Sequence, residues 1–270
     1  MVDVGDGVEL RVVSSGQGAP LVLLHGFTGS ATTWTPLSAA LDTRYAMHAV
    51  ELPGHGGSSA PDDAGRYALG RLAADLARVL DALGIERAAV LGYSLGGRAA
   101  LRFALEHPRR VGALVLESTS PGIVDPSERT TRRAADEALA DAIEREGIAR
   151  FVERWEQLPL WASQSALPDA VRERLRTERM ACSPRGLANS LRGAGAAVEE
   201  PVIERLDGIS VPALLVAGAL DTKYVALGRV MEQAMPRARL TIVERAGHAV
   251  HLERPDAFAA LVAEFLDAVR

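Results

Sequence analysis

The sequence predicts an α/β fold, a mostly parallel sheet of eight strands with helices on both faces. Three observations predict it. Short runs that are apolar throughout, such as 20–24 (Pro-Leu-Val-Leu-Leu) and 112–116 (Gly-Ala-Leu-Val-Leu), have the composition of strands buried on both faces. These runs alternate with stretches of helical period, the chain order of a parallel sheet covered on both sides. Three residues with complementary chemistry, Ser94, Asp221 and His248, each follow directly on a strand-like run. Ligands of open parallel sheets bind beyond those strand ends.

Taken in order, residues 2–14 read as a β-hairpin turning at Gly5-Asp6-Gly7. The strand at 20–24 empties into His25-Gly26-Phe27-Thr28-Gly29. A helix at 30–41 and a strand at 45–52 follow. The cluster 53–58 (Pro-Gly-His-Gly-Gly-Ser) is a turn. His25 and His55 read as structural, each tied to local backbone. Residues 66–83 place Leu69, Leu72, Leu76, Val79, Leu80 and Leu83 on one helical face, and Gly84 caps its C-terminus. After the strand at 112–117 the alternation stops. Between 121 and 200 no strand is evident, only helical patterns at 128–146, 148–157, 170–180 and 186–192. These predict a helical cap, 121–200, inserted in a core made of 1–120 and 201–270. Alternation resumes with strands at 211–218 and 239–243 and helices at 225–235 and 255–269.

The 270 residues carry a net charge of -5, which gives no basis for a nucleic-acid partner. No stretch is long and apolar enough to insert in a membrane. The single cysteine, Cys182, excludes an internal disulfide and fits a reducing compartment. With no signal segment visible at the N-terminus, the expected location is the cytoplasm.

Residues 92–98 (Gly-Tyr-Ser-Leu-Gly-Gly-Arg) lie between a strand and a helix. Glycines two residues either side of Ser94 make this a nucleophile elbow, a tight turn that exposes the hydroxyl. The Leu95 amide, at the helix start, is one donor for a developing oxyanion, and the Phe27 amide is the candidate second donor. The chain order Ser94, Asp221, His248 is the order of α/β hydrolases. In that arrangement the histidine takes the serine proton and the aspartate orients the histidine. Asp221 can also be read as a helix N-cap, Glu117 is a rival for the acid, and His251 stands next to the site at most. Arg98, one turn into the elbow helix, can hold a carboxylate in a bidentate pair. The cap adds many arginines, most of them readable as a solvated face because glutamates are interspersed. Their excess over the expected pocket suggests a small substrate with several carboxylates.

Over nearly its whole length the chain resembles the 2-succinyl-6-hydroxy-2,4-cyclohexadiene-1-carboxylate synthases of menaquinone biosynthesis. The resemblance is carried by 92–98, by 120–123 (Ser-Pro-Gly-Ile), and by Glu128, Arg129, Arg132 and Asp136. It continues through 155–160 (Trp-Glu-Gln-Leu-Pro-Leu), Arg179, 186–192, 221–223 (Asp-Thr-Lys) and 247–251 (Gly-His-Ala-Val-His). It implies a lyase that eliminates pyruvate from a small polycarboxylate, 2-succinyl-5-enolpyruvyl-6-hydroxy-3-cyclohexene-1-carboxylate, with no metal and no organic cofactor. It further implies that Ser94, Asp221 and His248 form the triad, that Arg98, Arg132 and Arg179 bind substrate carboxylates, and that Tyr93 and Trp155 line the pocket. The alternative is a serine hydrolase of carboxylate-bearing esters or carbon–carbon bonds using the same triad. A second alternative is a non-catalytic binding module. The chain departs from the family pattern in three places. Residues 193–197 (Gly-Ala-Gly-Ala-Ala) replace a common Thr-Gly-x-Gln, and Trp161 and Tyr224 each stand where Phe is common.

Overall fold

The apolar runs become strands, as the computed structural model of residues 1–270 shows. In chain order the elements are β1 (Val2–Asp3), β2 (Glu9–Leu10), β3 (Val12–Ser15), β4 (Ala19–Leu24), α1 (Thr35–Leu41), β5 (Tyr45–Val50), α2 (Leu69–Ala82), β6 (Ala88–Tyr93), α3 (Leu95–Glu106) and β7 (Val111–Glu117). Then come α4 (Pro126–Trp155), α5 (Asp169–Met180), α6 (Pro184–Ala194), β8 (Ala213–Gly218), α7 (Thr222–Ala234), β9 (Ala238–Val243), α8 (Val250–Glu253) and α9 (Pro255–Ala268). The large sheet has the order β3-β5-β4-β6-β7-β8-β9. Only β3 runs antiparallel to its neighbour.

The sheet has seven strands, not the eight expected. The hairpin at the N-terminus does form, but β1 and β2 pair only with each other, Val2 opposite Leu10. Arms of two residues make too few ladder bonds to extend a large sheet. The chain turns at Arg11, whose carbonyl accepts the Glu51 N–H at 2.9 Å, and only β3 goes on to pair with β5.

Alternate residues of the central strands serve opposite faces, as a period of two requires. Val22, Leu24, Val90, Leu114 and Leu116 join the cluster under α2 and α3. Leu21, Leu23, Leu91 and Val115 join the one under α1 and α9. Between β7 and β8 every regular element is helical. The long helix α4 breaks where the sequence pattern breaks, at Gly147, whose φ of 79° and ψ of 173° no helix contains. The cap has its own small core around Ile143, Phe151, Leu187 and Leu191, against which Phe27 of the β4 loop packs. No helix is long and apolar enough to cross a membrane.

Candidate active site

The elbow forms as the glycines dictate. Ser94 takes φ 52° and ψ -107°, a strained conformation for a residue with a side chain. The glycines serve close approach rather than unusual dihedrals. A Cβ on Gly92 would lie 2.4 Å from the Gly96 carbonyl oxygen, and one on Gly96 would lie 2.2 Å from that of Leu24. The turn is pinned from β7 and the segment after it. Ser94 N–H donates to the Glu117 carbonyl at 2.9 Å, and Thr119 Oγ1 donates to the Ser94 carbonyl at 2.8 Å.

The three chemical residues meet at the strand ends. His248 Nδ1–H donates to Asp221 Oδ2 at 2.7 Å. That bond leaves Nε2 as the acceptor for Ser94 Oγ, 3.2 Å away. Asp221 does two jobs. Its Oδ1 accepts the Tyr224 N–H at 3.4 Å and caps α7, while Oδ2 faces the histidine. Glu117 makes no contact of this kind with His248; its carboxylate is bound to His251. His25 and His55 are buried and bond to backbone. His25 donates to the Gly26 carbonyl and accepts the Leu52 N–H, and His55 donates to the Pro53 carbonyl. Burial pulls them down to about 4 and about 3, so both are neutral at pH 7.

A cavity of about 310 Å³ opens above Ser94 between the sheet and the cap. Phe27 and Leu95 both line it. The Phe27 N–H donates to no backbone carbonyl, and the Leu95 N–H, first in its helix, has no acceptor within it. Gly26 carries no side chain because a Cβ there would meet the Tyr93 ring at 2.7 Å, a demand of packing rather than of ligand approach. Tyr93 and Trp155 also line the cavity. Aromatic rings roof it in series, from Phe27 to Trp155 to Trp161 to His248, with centroids 5.4, 5.6 and 5.5 Å apart.

The arginines separate into two kinds. Arg98 lines the cavity with one partner in the chain, the Ala194 carbonyl, to which Nη1 donates at 2.6 Å. Burial, helped by the nearby charge of Arg132, lowers its pKa to about 10, so it remains a cation at neutral pH. It pairs with no carboxylate of the chain. Arg132 also lines the cavity, bonded to Asp136 at 2.8 Å through Nε and with its side chain 42% exposed. Arg179 does not line it. It lies behind Trp161, its guanidinium 5.6 Å from that ring, and donates to Glu156 at 3.2 Å and Gln164 at 3.3 Å. Trp161 thus borders the cavity on the side where Arg179 lies, and Arg179 shares a smaller neighbouring pocket with Phe27, Tyr93 and Trp161. Arg154, Arg176 and Arg192 are spent on surface carboxylates, as a solvated helical face would have them.

Of the residues at which the chain departs from its resemblance, Ala194, Gly195, Ala196, Trp161 and Tyr224 border this cavity, and Gly193 and Ala197 do not. Tyr224 was the site residue hardest to see in the sequence. Its ring stands edge-on to His248 with centroids 4.5 Å apart, and Arg98 and Arg132 both act on its hydroxyl. The usable signal was its position three residues after Asp221, on the first turn of the helix that Asp221 caps.

Comparison with known proteins agrees with this fold. Residues 19–255 match the alpha/beta hydrolase fold family. A candidate 2-succinyl-6-hydroxy-2,4-cyclohexadiene-1-carboxylate synthase of Bacillus subtilis (strain 168) is 41% identical over 99% of this chain and 98% of its own length. The 2-succinyl-6-hydroxy-2,4-cyclohexadiene-1-carboxylate synthase of Serratia proteamaculans (strain 568) is 32% identical over 91% of this chain and 92% of its own. The solved structure of MenH from S. aureus superposes with a TM-score of 0.91 at 32% identity, covering 96% of this chain and 98% of that one. Likeness that extends through the cap, where members of one fold differ most, assigns more than the fold: the chain belongs to the α/β-hydrolase family and, within it, to the 2-succinyl-6-hydroxy-2,4-cyclohexadiene-1-carboxylate synthases.

Proposed function

We propose that the chain is a carbon–oxygen lyase of menaquinone biosynthesis. It eliminates pyruvate from 2-succinyl-5-enolpyruvyl-6-hydroxy-3-cyclohexene-1-carboxylate and leaves 2-succinyl-6-hydroxy-2,4-cyclohexadiene-1-carboxylate. The observation that carries the reading beyond the fold is Arg98. A guanidinium in a cavity beside the triad, hydrogen-bonded in the chain only to a neutral carbonyl, is a site for an anion. The substrate brings carboxylates on its ring, its succinyl arm and its enolpyruvyl arm. Arg98 takes one and Arg132 is within reach of another. Arg179, beside Trp161 in the pocket next to the cavity, is the third arginine offered to these carboxylates.

The triad then works as a base. His248 Nε2 draws the Ser94 proton, and Ser94 Oγ takes the ring proton α to the succinyl ketone. The amides of Phe27 and Leu95 hold the enolate oxygen that results. The electron pair moves through the ring and breaks the bond to the enolpyruvyl oxygen. That group leaves as the enolate of pyruvate and collects a proton at carbon. Asp221 keeps His248 in the tautomer the first step needs and stabilises the imidazolium.

The test supplies that substrate to the purified protein and to Ser94→Ala, following pyruvate release and diene absorbance. Fast release by the wild type, with little by the variant, is expected. Accumulation of an acyl group on Ser94 during turnover would overturn the base role in favour of a hydrolytic one.

A further inference from the structure

Glu117 ends β7, and its carboxylate serves His251 in place of the triad. It is fully buried. Its Oε1 accepts the backbone N–H of His251 at 3.0 Å, and both its oxygens accept the His251 Nδ1–H at 2.9 Å. Its own carbonyl accepts the Ser94 N–H at 2.9 Å. One residue therefore grips both sides of the Ser94–His248 pair: the amide of the serine, and the segment three residues past the histidine. The ring it holds also bears on the site. His251 meets Tyr93 edge-on with centroids 4.6 Å apart, and Tyr93 in turn lies 5.4 Å from His248. Neither Glu117 nor His251 lines the cavity above Ser94.

A carboxylate persists in an apolar interior only where hydrogen bonds replace its water. Here both donors to it come from one residue. Apolar side chains of similar volume would serve stability as well. What the pair adds is direction, because N–H···O bonds fix the backbone after His248 relative to the elbow. At 3.2 Å, the Ser94–His248 contact lies at the long end of the range for proton transfer, so a small displacement breaks it.

We propose that Glu117 and His251 form a positioning brace that sets the Ser94–His248 distance and the attitude of Tyr93 without touching substrate. The turnover part of this inference rests on the lyase reading above; the geometric part does not. The test therefore uses two rates. One is pyruvate release from the natural substrate. The other is phosphonylation of Ser94 by an alkyl fluorophosphonate, read by intact mass, which reports on the Ser94–His248 pair and its oxyanion donors without the natural substrate. The variants are Glu117→Gln, His251→Ala, His251→Asn and Trp34→Phe. His251→Asn keeps a donor toward Glu117. Trp34→Phe trims packing on the His251 ring, 5.1 Å away, and Trp34 has no hydrogen bond to lose.

Glu117→Gln and His251→Ala are expected to lower both rates about 10- to 100-fold with KM within threefold. His251→Asn and Trp34→Phe stay within threefold of wild type in both rates. The brace is overturned if Glu117→Gln and His251→Ala keep both rates within threefold. It is equally overturned if Trp34→Phe loses as much as they do at a matched melting temperature, since packing alone then explains the effect. Absence of pyruvate release from every protein, with the phosphonylation order intact, would sink the lyase reading and leave the brace standing.

Discussion

The sheet core and the cap are held together by different means. On the two faces of the sheet, clusters of 32 and 23 buried residues pack without interruption, whereas the cap's own cluster has 8. What the cap has in addition is charge, such as Arg192 on Glu137, Asp141 and Glu144, and Arg176 on Glu156. Exposed ion pairs contribute about 0–1 kcal/mol each, and a large apolar side chain fully buried contributes about 1.5–3 kcal/mol. The core is thus the rigid part and the cap the adaptable one. Function divides along the same line. Ser94, Asp221 and His248 all stand on the core, while Arg132, Trp155 and Trp161 reach the cavity from the cap. The proposal places the chemistry on the core, with Arg98 beside it on α3, and gives Arg132, Trp155 and Trp161 of the cap the rest of the substrate's surroundings.

The largest effect should come from the core. Ser94→Ala is expected to lower kcat by on the order of 10³-fold or more, with the melting temperature unchanged within a few degrees. A triad loss that also unfolded the protein would mean that the core and the site are less separable than the comparison states. Next in size is Arg98→Ala, which removes the cation an enclosed carboxylate needs. A loss of about 2–5 kcal/mol in kcat/KM is expected. Arg192→Ala, on the cap surface, should stay within threefold. Equal losses in the two variants would erase the distinction between the cavity arginine and the surface ones.

These residues were not equally legible in the sequence. Ser94 and Arg98 could be read because their placement is local: a strand, a tight turn and one turn of helix set both. Asp221 and His248 needed only the rule that chemistry follows strand ends. The break at Gly147 was readable from the lapse in period. Arg179 is buried on the inward face of α5, as a pocket arginine would be, but its pairing with Glu156 and Gln164 was not legible, because both partners come from other segments. The strand count failed for a related reason. A hairpin pattern predicts that two arms pair, and it says nothing about which of them joins a distant strand. Tyr224 was visible as a departure from family pattern, but its direction follows from its packing on His248, 24 residues further along the chain.

The seam between core and cap should be sensitive to acid. His55 lies in the turn that meets α6, where Gly54 and Gly186 come into close backbone contact, and its ring is 5.9 Å from Phe27. Burial lowers His25 from 6.5 to about 4 and His55 from 6.5 to about 3. The unfolded chain therefore binds protons at these sites near pH 6.5, and the folded chain does not until the pH is much lower. Stability is complete above pH 6.5 and falls as the pH drops, by about 2 kcal/mol per histidine at pH 5. Urea unfolding at pH 7 and pH 5 measures the drop. His55→Asn, which keeps a donor for the Pro53 carbonyl, should make it smaller. An identical drop in wild type and variant would take the proton uptake away from this seam.

The smallest expected effect sharpens the comparison most, because Tyr224 stands on the core and faces the cap's chemistry. Burial raises its hydroxyl above the ordinary tyrosine value, while Arg98 and Arg132 pull the other way, so it stays protonated at neutral pH and can donate. Its ring packs on His248 whether or not the hydroxyl is present. Tyr224→Phe is therefore expected to delete a hydrogen bond that the hydroxyl offers to a carboxylate in the cavity and to leave the triad's support in place. The net worth of such a bond is about 0.5–1.5 kcal/mol, which corresponds to a KM roughly two- to tenfold higher at unchanged kcat. A fall in kcat instead would mean that the hydroxyl acts on the leaving enolate during the reaction, and Tyr224 would then belong with the triad rather than with the arginines.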